Sequence, residues 1–279
     1  MTPSQVEIRD QQRATWNKFS PGWKKWDDFT MAFLRPMGDE IVAGLRLKPT
    51  DHVLDIAAGT GEPGLSIAAA SPAGRVVGTD LSEGMLAIAQ SRAQERRLLN
   101  YGTQVADVCA LPFPDATFDA VSCRMGFMFF PDMAVAAREI ARVLKPGGRF
   151  ATSVWDAPER NPWTSRLMAV IRRNVEMPAA PPDAPGMFRC AAPGMIAGLM
   201  RDAGMKNVTE KVISGQVTYD NIGHYWTMMT EVSANVATLL GKASPEAQAR
   251  IKEEIFAAQA GNGGPFALDF ASRIVTGER

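Results

Sequence analysis

The stretch Val53-Leu54-Asp55-Ile56-Ala57-Ala58-Gly59-Thr60-Gly61-Glu62-Pro63-Gly64 constrains this chain more than any other. A short apolar run of strand length meets a glycine-rich turn, and the turn leads into a helix. A run of that kind reads as a strand buried on both faces, which calls for a parallel sheet covered by helices. Glycines in the turn let the backbone come closer to a ligand than any Cβ would allow. Gly59-x-Gly61-x-x-Gly64 matches the dinucleotide spacing, and an acid, Asp80, follows about 20 residues further on. Asp55 points the other way. A carboxylate just ahead of Gly59 is unhelpful beside a pyrophosphate and suits a ligand that carries positive charge.

The chain has 279 residues, enough for one α/β domain with additions or for two small domains. Thirty basic and thirty acidic residues leave no net charge, so no global field draws in nucleic acid or an anionic membrane. No basic-then-apolar leader pattern and no membrane-length apolar run is present, so stable membrane insertion is not expected. Cys109, Cys123 and Cys190 are too few and too unevenly spaced for a disulfide framework or a zinc site, and no metal is expected. A reducing cytoplasm is the expected setting.

Between residues 51 and 155 short apolar runs alternate with helical patterns. The strands are predicted at His52–Ile56, Arg75–Thr79, Gly102–Ala106, Phe118–Cys123 and Arg149–Val154. One helix runs from about Glu62 to Ala70. The next opens at Ser82, a good N-cap, and a third buries Ala136, Ile140, Val143 and Leu144 before stopping at Lys145-Pro146-Gly147-Gly148. Residues 1–50 read as an N-terminal helical cap segment and 51–279 as the core. Cap insertions are expected at about 157–193, where Pro178 and Pro181-Pro182 break any long helix, and at about 221–260. Met195–Ala203 reads as a helix, Val208–Val217 as a strand and Phe266–Thr276 as a last strand.

Parallel sheets of this type bind ligands beyond the carboxyl ends of their strands. An acid follows each of the first three strands: Asp55, Asp80 and Asp107. Asp80 can accept hydrogen bonds from two ribose hydroxyls, and Asp107 from an exocyclic adenine amine. Arg124-Met125-Gly126-Phe127 follows the fourth strand. With Gly78-Thr79-Asp80-Leu81-Ser82, Ala106-Asp107-Val108, Phe130-Pro131-Asp132 and Val143-Leu144-Lys145-Pro146-Gly147-Gly148, the chain resembles the class I S-adenosylmethionine-dependent methyltransferases, in the broad group that includes the quinone-biosynthesis enzymes. The likeness covers residues 45–155 well and continues weakly to Met205.

The resemblance implies a doubly wound, Rossmann-like α/β fold: a seven-stranded, mostly parallel sheet with an antiparallel last strand, plus helical substrate-covering additions. It implies S-adenosylmethionine as cofactor and S-adenosylhomocysteine as product. Gly59 and Gly61 would pass the methionyl part, with Asp55 near its ammonium group. Asp80 would hold the ribose, Leu81 and Met85 would pack on the adenine, and Asp107 with Val108 would read its edge. Ala57 stands where the family often has glycine, and ordinary strand geometry is expected there. Two alternatives are an NAD(P)-dependent oxidoreductase, which leaves Asp107 without a role, and a non-catalytic protein that binds the cofactor.

Methyl transfer from a sulfonium needs positioning above all, and a base only if the acceptor must lose a proton. His224 is the candidate catalytic base, against a plain reading as a histidine near a helix start; His52 is assigned a structural place. Arg124 is set with the cofactor-binding residues, or beside an anionic substrate or Asp119. Phe127, Trp163, Tyr225 and Trp226 are candidate walls of an apolar substrate pocket, although aromatic stretches are more often core. The partner implied is a small, apolar or aromatic methyl acceptor.

Overall fold

The computed structural model describes residues 4–176, 184–258 and 263–279. Seven strands form one sheet in the order β3-β2-β1-β4-β5-β7-β6. They are β1 His52–Ile56, β2 Arg75–Asp80, β3 Tyr101–Val105, β4 Phe118–Arg124, β5 Leu144–Trp155, β6 Lys206–Tyr219 and β7 Phe266–Glu278. The β1–β2, β1–β4, β2–β3 and β4–β5 pairs are parallel, and β7 runs antiparallel to both β5 and β6. The carboxyl ends of β1 to β6 therefore share one edge of the sheet.

Burial explains which strands form. In β1, Val53, Leu54, Asp55 and Ile56 are all buried, as a central strand covered on both faces requires. The exposed pattern of β6 is that of an edge strand. β5 starts at Leu144, directly after its preceding helix, so Lys145-Pro146-Gly147-Gly148 already belongs to the strand. Gly147 N–H donates to the Arg279 carbonyl and Arg279 N–H to that of Gly148.

Ten helices are described: α1 Gln5–Lys25, α2 Asp27–Leu45, α3 Gly64–Ala70, α4 Glu83–Glu95, α5 Met133–Val143, α6 Pro162–Asn174, α7 Met195–Asp202, α8 Ile222–Val232, α9 Ala234–Leu240 and α10 Pro245–Ala257. Ser4 opens α1 through a capping box with Glu7. α2 does more than cap. Its stripe Leu34, Met37, Ile41 and Leu45 is buried, and Ile41 and Leu45 pack in one cluster with Val53, Leu65 and Ala151, which makes α2 a layer on the sheet. In the 157–193 stretch, α6 is a full helix that opens with Pro162 at its first turn. Pro178, Pro181 and Pro182 lie outside the described residues.

Asn161 clamps β5 to β7. Its amide donates to the Asp156, Ala157 and Ala271 carbonyls, and its side-chain carbonyl accepts from Ala271 N–H. Burial pushes the Cys123 and Cys190 thiols up to about 12 and that of Cys109 to about 11, which suits packing rather than nucleophilic chemistry. Among the described residues no helix is long and apolar enough to cross a membrane.

Candidate active site

Asp55, the penultimate residue of β1, is fully buried. One carboxylate oxygen accepts from Ser122 Oγ at 2.7 Å and the other from Gly64 N–H at 3.0 Å. Both oxygens are thus committed inside the protein, and the carboxylate fastens the turn from beneath. Desolvation pushes the Asp55 pKa up to about 7 against the opposing pull of Ser122, Arg124 and Gly64. Gly64 makes the approach possible, because a Cβ there would stand 2.7 Å from Asp55 Oδ2.

The chain leaves β1 through three left-handed residues: Ala57 (φ 53°), Gly59 (φ 54°) and Gly61 (φ 110°). The expectation of ordinary strand geometry at Ala57 is therefore corrected. The reversal begins at this residue, because Ala58 N–H must reach the Thr79 carbonyl, 3.0 Å away on β2. Alanine in that region costs about 1–2 kcal/mol. Ala57→Gly should accordingly raise unfolding stability by about 0.5–1 kcal/mol in urea titration, after the entropic cost of the new glycine. At Gly61 a Cβ would also meet Leu65 Cδ1 at 2.7 Å.

Asp80, at the end of β2, spans the crevice. Its Oδ2 accepts from Gly59 N–H at 3.0 Å and its Oδ1 from Ser82 N–H at 2.9 Å, while burial raises its pKa. Ser82 Oγ caps α4 by accepting from Met85 N–H, and donates to Asn17 of α1 at 2.7 Å. Met85 is buried and Leu81 partly so. Asp107 caps the short turn Val108–Ala110, accepting from Cys109 N–H through Oδ1, and Oδ2 has no partner among the described residues.

Arg124 ends β4. Asp119 is at the other end of that strand, bound to Lys145 at 2.7 Å and to His52 N–H, so it does not partner Arg124. His52 packs against Phe118 at the same far end, in keeping with a structural place. Among the described residues the terminal nitrogens of Arg124 reach only the Leu34 carbonyl and Met31 Sδ, each at 3.5 Å. Burial lowers its pKa.

The first half of α2 runs along this edge of the sheet. Met31 and Leu34 meet Arg124, Phe33 stacks on Trp155 at the end of β5, and Phe29 faces Tyr219 at the end of β6. Its start is tied to the glycine turn by Arg92, which pairs with Asp27 at 3.0 Å and donates to the Thr60 carbonyl at 2.7 Å.

His224 lies just beyond β6. Its Nδ1 is 3.0 Å from Asp220 Oδ2, and its ring stacks on Trp26 with Phe29 and Tyr219 edge-on. Its Nε2 and the Tyr219 hydroxyl are buried without a partner among the described residues. Of the aromatic candidates, Phe127, Trp163 and Tyr225 lie inside the core. The Tyr225 hydroxyl donates to the Trp163 carbonyl, and Trp226 packs on Phe256 in the helical cap. The sequence reading missed Trp26, Phe29 and Phe33. Their spacing of three and four residues on one helix was the available signal.

Residues 54–152 match the family model of a methyltransferase domain. An uncharacterised protein of Mycobacterium tuberculosis is 35% identical over 183 residues, covering 64% of each chain, so the match spans less than two thirds of that relative. The demethylmenaquinone methyltransferase of Symbiobacterium thermophilum is 39% identical over 130 residues, 46% of this chain and 47% of the relative. The crystal structure of YcgJ from Bacillus subtilis superposes with a TM-score of 0.58 at 23% identity, covering 88% of this chain and 98% of that one, a likeness of fold.

Proposed function

We propose that this chain, whose core is that of a class I S-adenosylmethionine-dependent methyltransferase, moves the methyl group of that cofactor to a small apolar or aromatic metabolite in the cytoplasm. The observation that carries the reading is the set of three carboxylates, Asp55, Asp80 and Asp107, at the ends of three adjacent parallel strands around one glycine turn.

The residues fit the cofactor. Gly59 has nothing within 4 Å of where a Cβ would stand, so the turn leaves a cradle for the methionyl chain. Asp80 is desolvated and holds only backbone N–H groups, which two ribose hydroxyls can replace. The open oxygen of Asp107, with Val108 N–H, suits the amine and ring nitrogen of adenine, and Leu81 and Met85 supply an apolar face. Asp55 acts through the turn that it fastens, and its buried charge favours a cationic ligand over a pyrophosphate. That argument weighs against the dinucleotide alternative, and the intact acidic set weighs against a merely binding protein.

When bound, the cofactor supplies an activated methyl group on a sulfonium. The chain then has to hold the acceptor in line and keep water out, and positioning of this kind is worth roughly 7–11 kcal/mol in the best cases. We assign His224 the role of receiving the acceptor's proton. In the tautomer with Nδ1–H donating to Asp220 Oδ2, which forgoes the 3.3 Å contact that Asp220 N–H makes to Nδ1, the imidazole presents a bare lone pair at Nε2. His224→Ala should lower turnover about 100-fold or more and leave S-adenosylhomocysteine affinity within twofold. The decisive screen is transfer of radiolabelled methyl to phenols, reduced quinones and small amines. Labelled product supports methyl transfer, and cofactor binding without any product supports the non-catalytic reading.

A further inference from the structure

Arg124 is a half-buried cation with no carboxylate beside it among the described residues. Among the described residues no carboxylate lies within 4.0 Å of its guanidinium, whose terminal nitrogens rest at 3.5 Å from a carbonyl and a thioether. Buried charges in proteins are ordinarily paired, because an unpaired one gives up its hydration for nothing. The nearby acids are already engaged. Asp55 gives both oxygens to Ser122 and Gly64, and Glu62 gives one to Arg96 and the other to Ser66 N–H.

The backbone next to Arg124 carries a second mark. Met125 is left-handed, with φ 58°, and its N–H donates to the Ser153 carbonyl on β5. A non-glycine residue in that region is a strained conformation that persists where the surrounding structure enforces it, and such strain gathers at binding sites. Arg124 stands two residues beyond Ser122, on the face of the sheet that carries Asp55, and α2 lies over it with Met31, Leu34 and Gly38. The aromatic pair Phe33–Trp155 belongs to the neighbouring strand end and the same helix.

We infer that Arg124 is a specificity-determining residue that selects a methyl acceptor bearing a carboxylate. This rests on the proposed methyl-transfer reading and adds the acceptor's charge to it. The planar fork of arginine matches a carboxylate in two parallel hydrogen bonds, and a ligand oxygen pair would displace the two weak contacts that now fill the fork. A monoanion suits the site better than a phosphate dianion, because Asp55 and Glu62 stand near a single unpaired cation. The adjoining Phe33 and Trp155 suit an aromatic or otherwise apolar body behind the acid group.

The test is calorimetry on the full chain saturated with S-adenosylhomocysteine. The probes are three acid–amide pairs: benzoate and benzamide, 4-hydroxybenzoate and 4-hydroxybenzamide, and indole-3-acetate and indole-3-acetamide. At least one acid should bind tenfold or more tightly than its amide. Arg124→Gln should erase that preference with S-adenosylhomocysteine affinity unchanged within twofold, and Arg124→Lys should retain part of it. Amides that bind as well as acids in all three pairs would overturn the inference. So would a tenfold loss of S-adenosylhomocysteine affinity in Arg124→Gln, which would give the guanidinium to the cofactor's own carboxylate. If the wild-type chain fails to bind S-adenosylhomocysteine in the first titration, the methyl-transfer reading fails and the inference goes with it.

Discussion

Asp80→Ala should weaken S-adenosylhomocysteine binding about 100-fold or more, the largest loss of affinity expected from a single change in this chain. Two hydrogen bonds from ribose hydroxyls to one carboxylate contribute about 1.5–3 kcal/mol each, and removing both leaves the hydroxyls facing an apolar cavity. Asp80 also links Gly59 to Ser82 in the unliganded chain, so the variant should unfold at lower urea as well. Asp80→Asn separates the two effects. An amide can accept one of the backbone hydrogen bonds, so stability should largely return while affinity stays well below wild type. Calorimetric dissociation constants and urea midpoints for the two variants check both parts. Wild-type affinity in Asp80→Ala would remove Asp80 from the site.

Asp55→Asn should have the largest effect on stability, and it should be stabilising at neutral pH and above. The carboxyl's pKa is pushed from 3.8 to about 7 by burial, so in this interval the folded chain holds a proton that the unfolded chain releases. Stability from this group is therefore full below about pH 4. It declines as pH rises and is lost above about pH 7, where a bare charge is forced into the core. A shift of that size corresponds to about 4 kcal/mol as an upper bound. Asparagine can still accept from Gly64 N–H and meet Ser122 without carrying charge. Urea titrations at pH 4.5 and pH 8 should show the variant's advantage growing with pH. At pH 8, where the wild-type carboxyl has lost its proton, the variant's affinity for S-adenosylhomocysteine should fall at least tenfold, because the charge that favours a cationic ligand is gone. A variant with a pH-independent stability difference would contradict the buried, proton-holding state of Asp55.

The parts of the fold that were legible in the sequence share a physical cause. β1 is recovered residue for residue, and β2 and β4 to within one residue, because strands buried on both faces read as continuous apolar runs that end in a polar residue at the crevice. The cap Ser82 is readable because a short polar side chain at a helix start has one main use, accepting the orphan N–H groups. β6 extends beyond its predicted ends because an edge strand with one face in water lacks such a run.

Other features depend on tertiary context. Nothing local in Ala57-Ala58 announces a left-handed residue, since the reversal is imposed by the hydrogen bond from Ala58 to Thr79. The aromatic residues packed over the ends of β5 and β6 come from α2, before the first strand. The aromatics after the fourth and fifth strands, Phe127 and Trp163, went to the core. Periodicity tells that a helix has an apolar face without telling which element covers it. The commitment of both Asp55 oxygens was likewise invisible, because Ser122 and Gly64 meet it only through the sheet register.

The central claim, that the crevice beyond β1, β2 and β3 is a seat for S-adenosylmethionine, is tested most directly by calorimetric titration of the full chain with S-adenosylhomocysteine and, in parallel, with NADH. The account predicts a micromolar or tighter dissociation constant for S-adenosylhomocysteine, abolished in Asp80→Ala, and no heat from NADH. Tight binding of NADH with none of S-adenosylhomocysteine would contradict it.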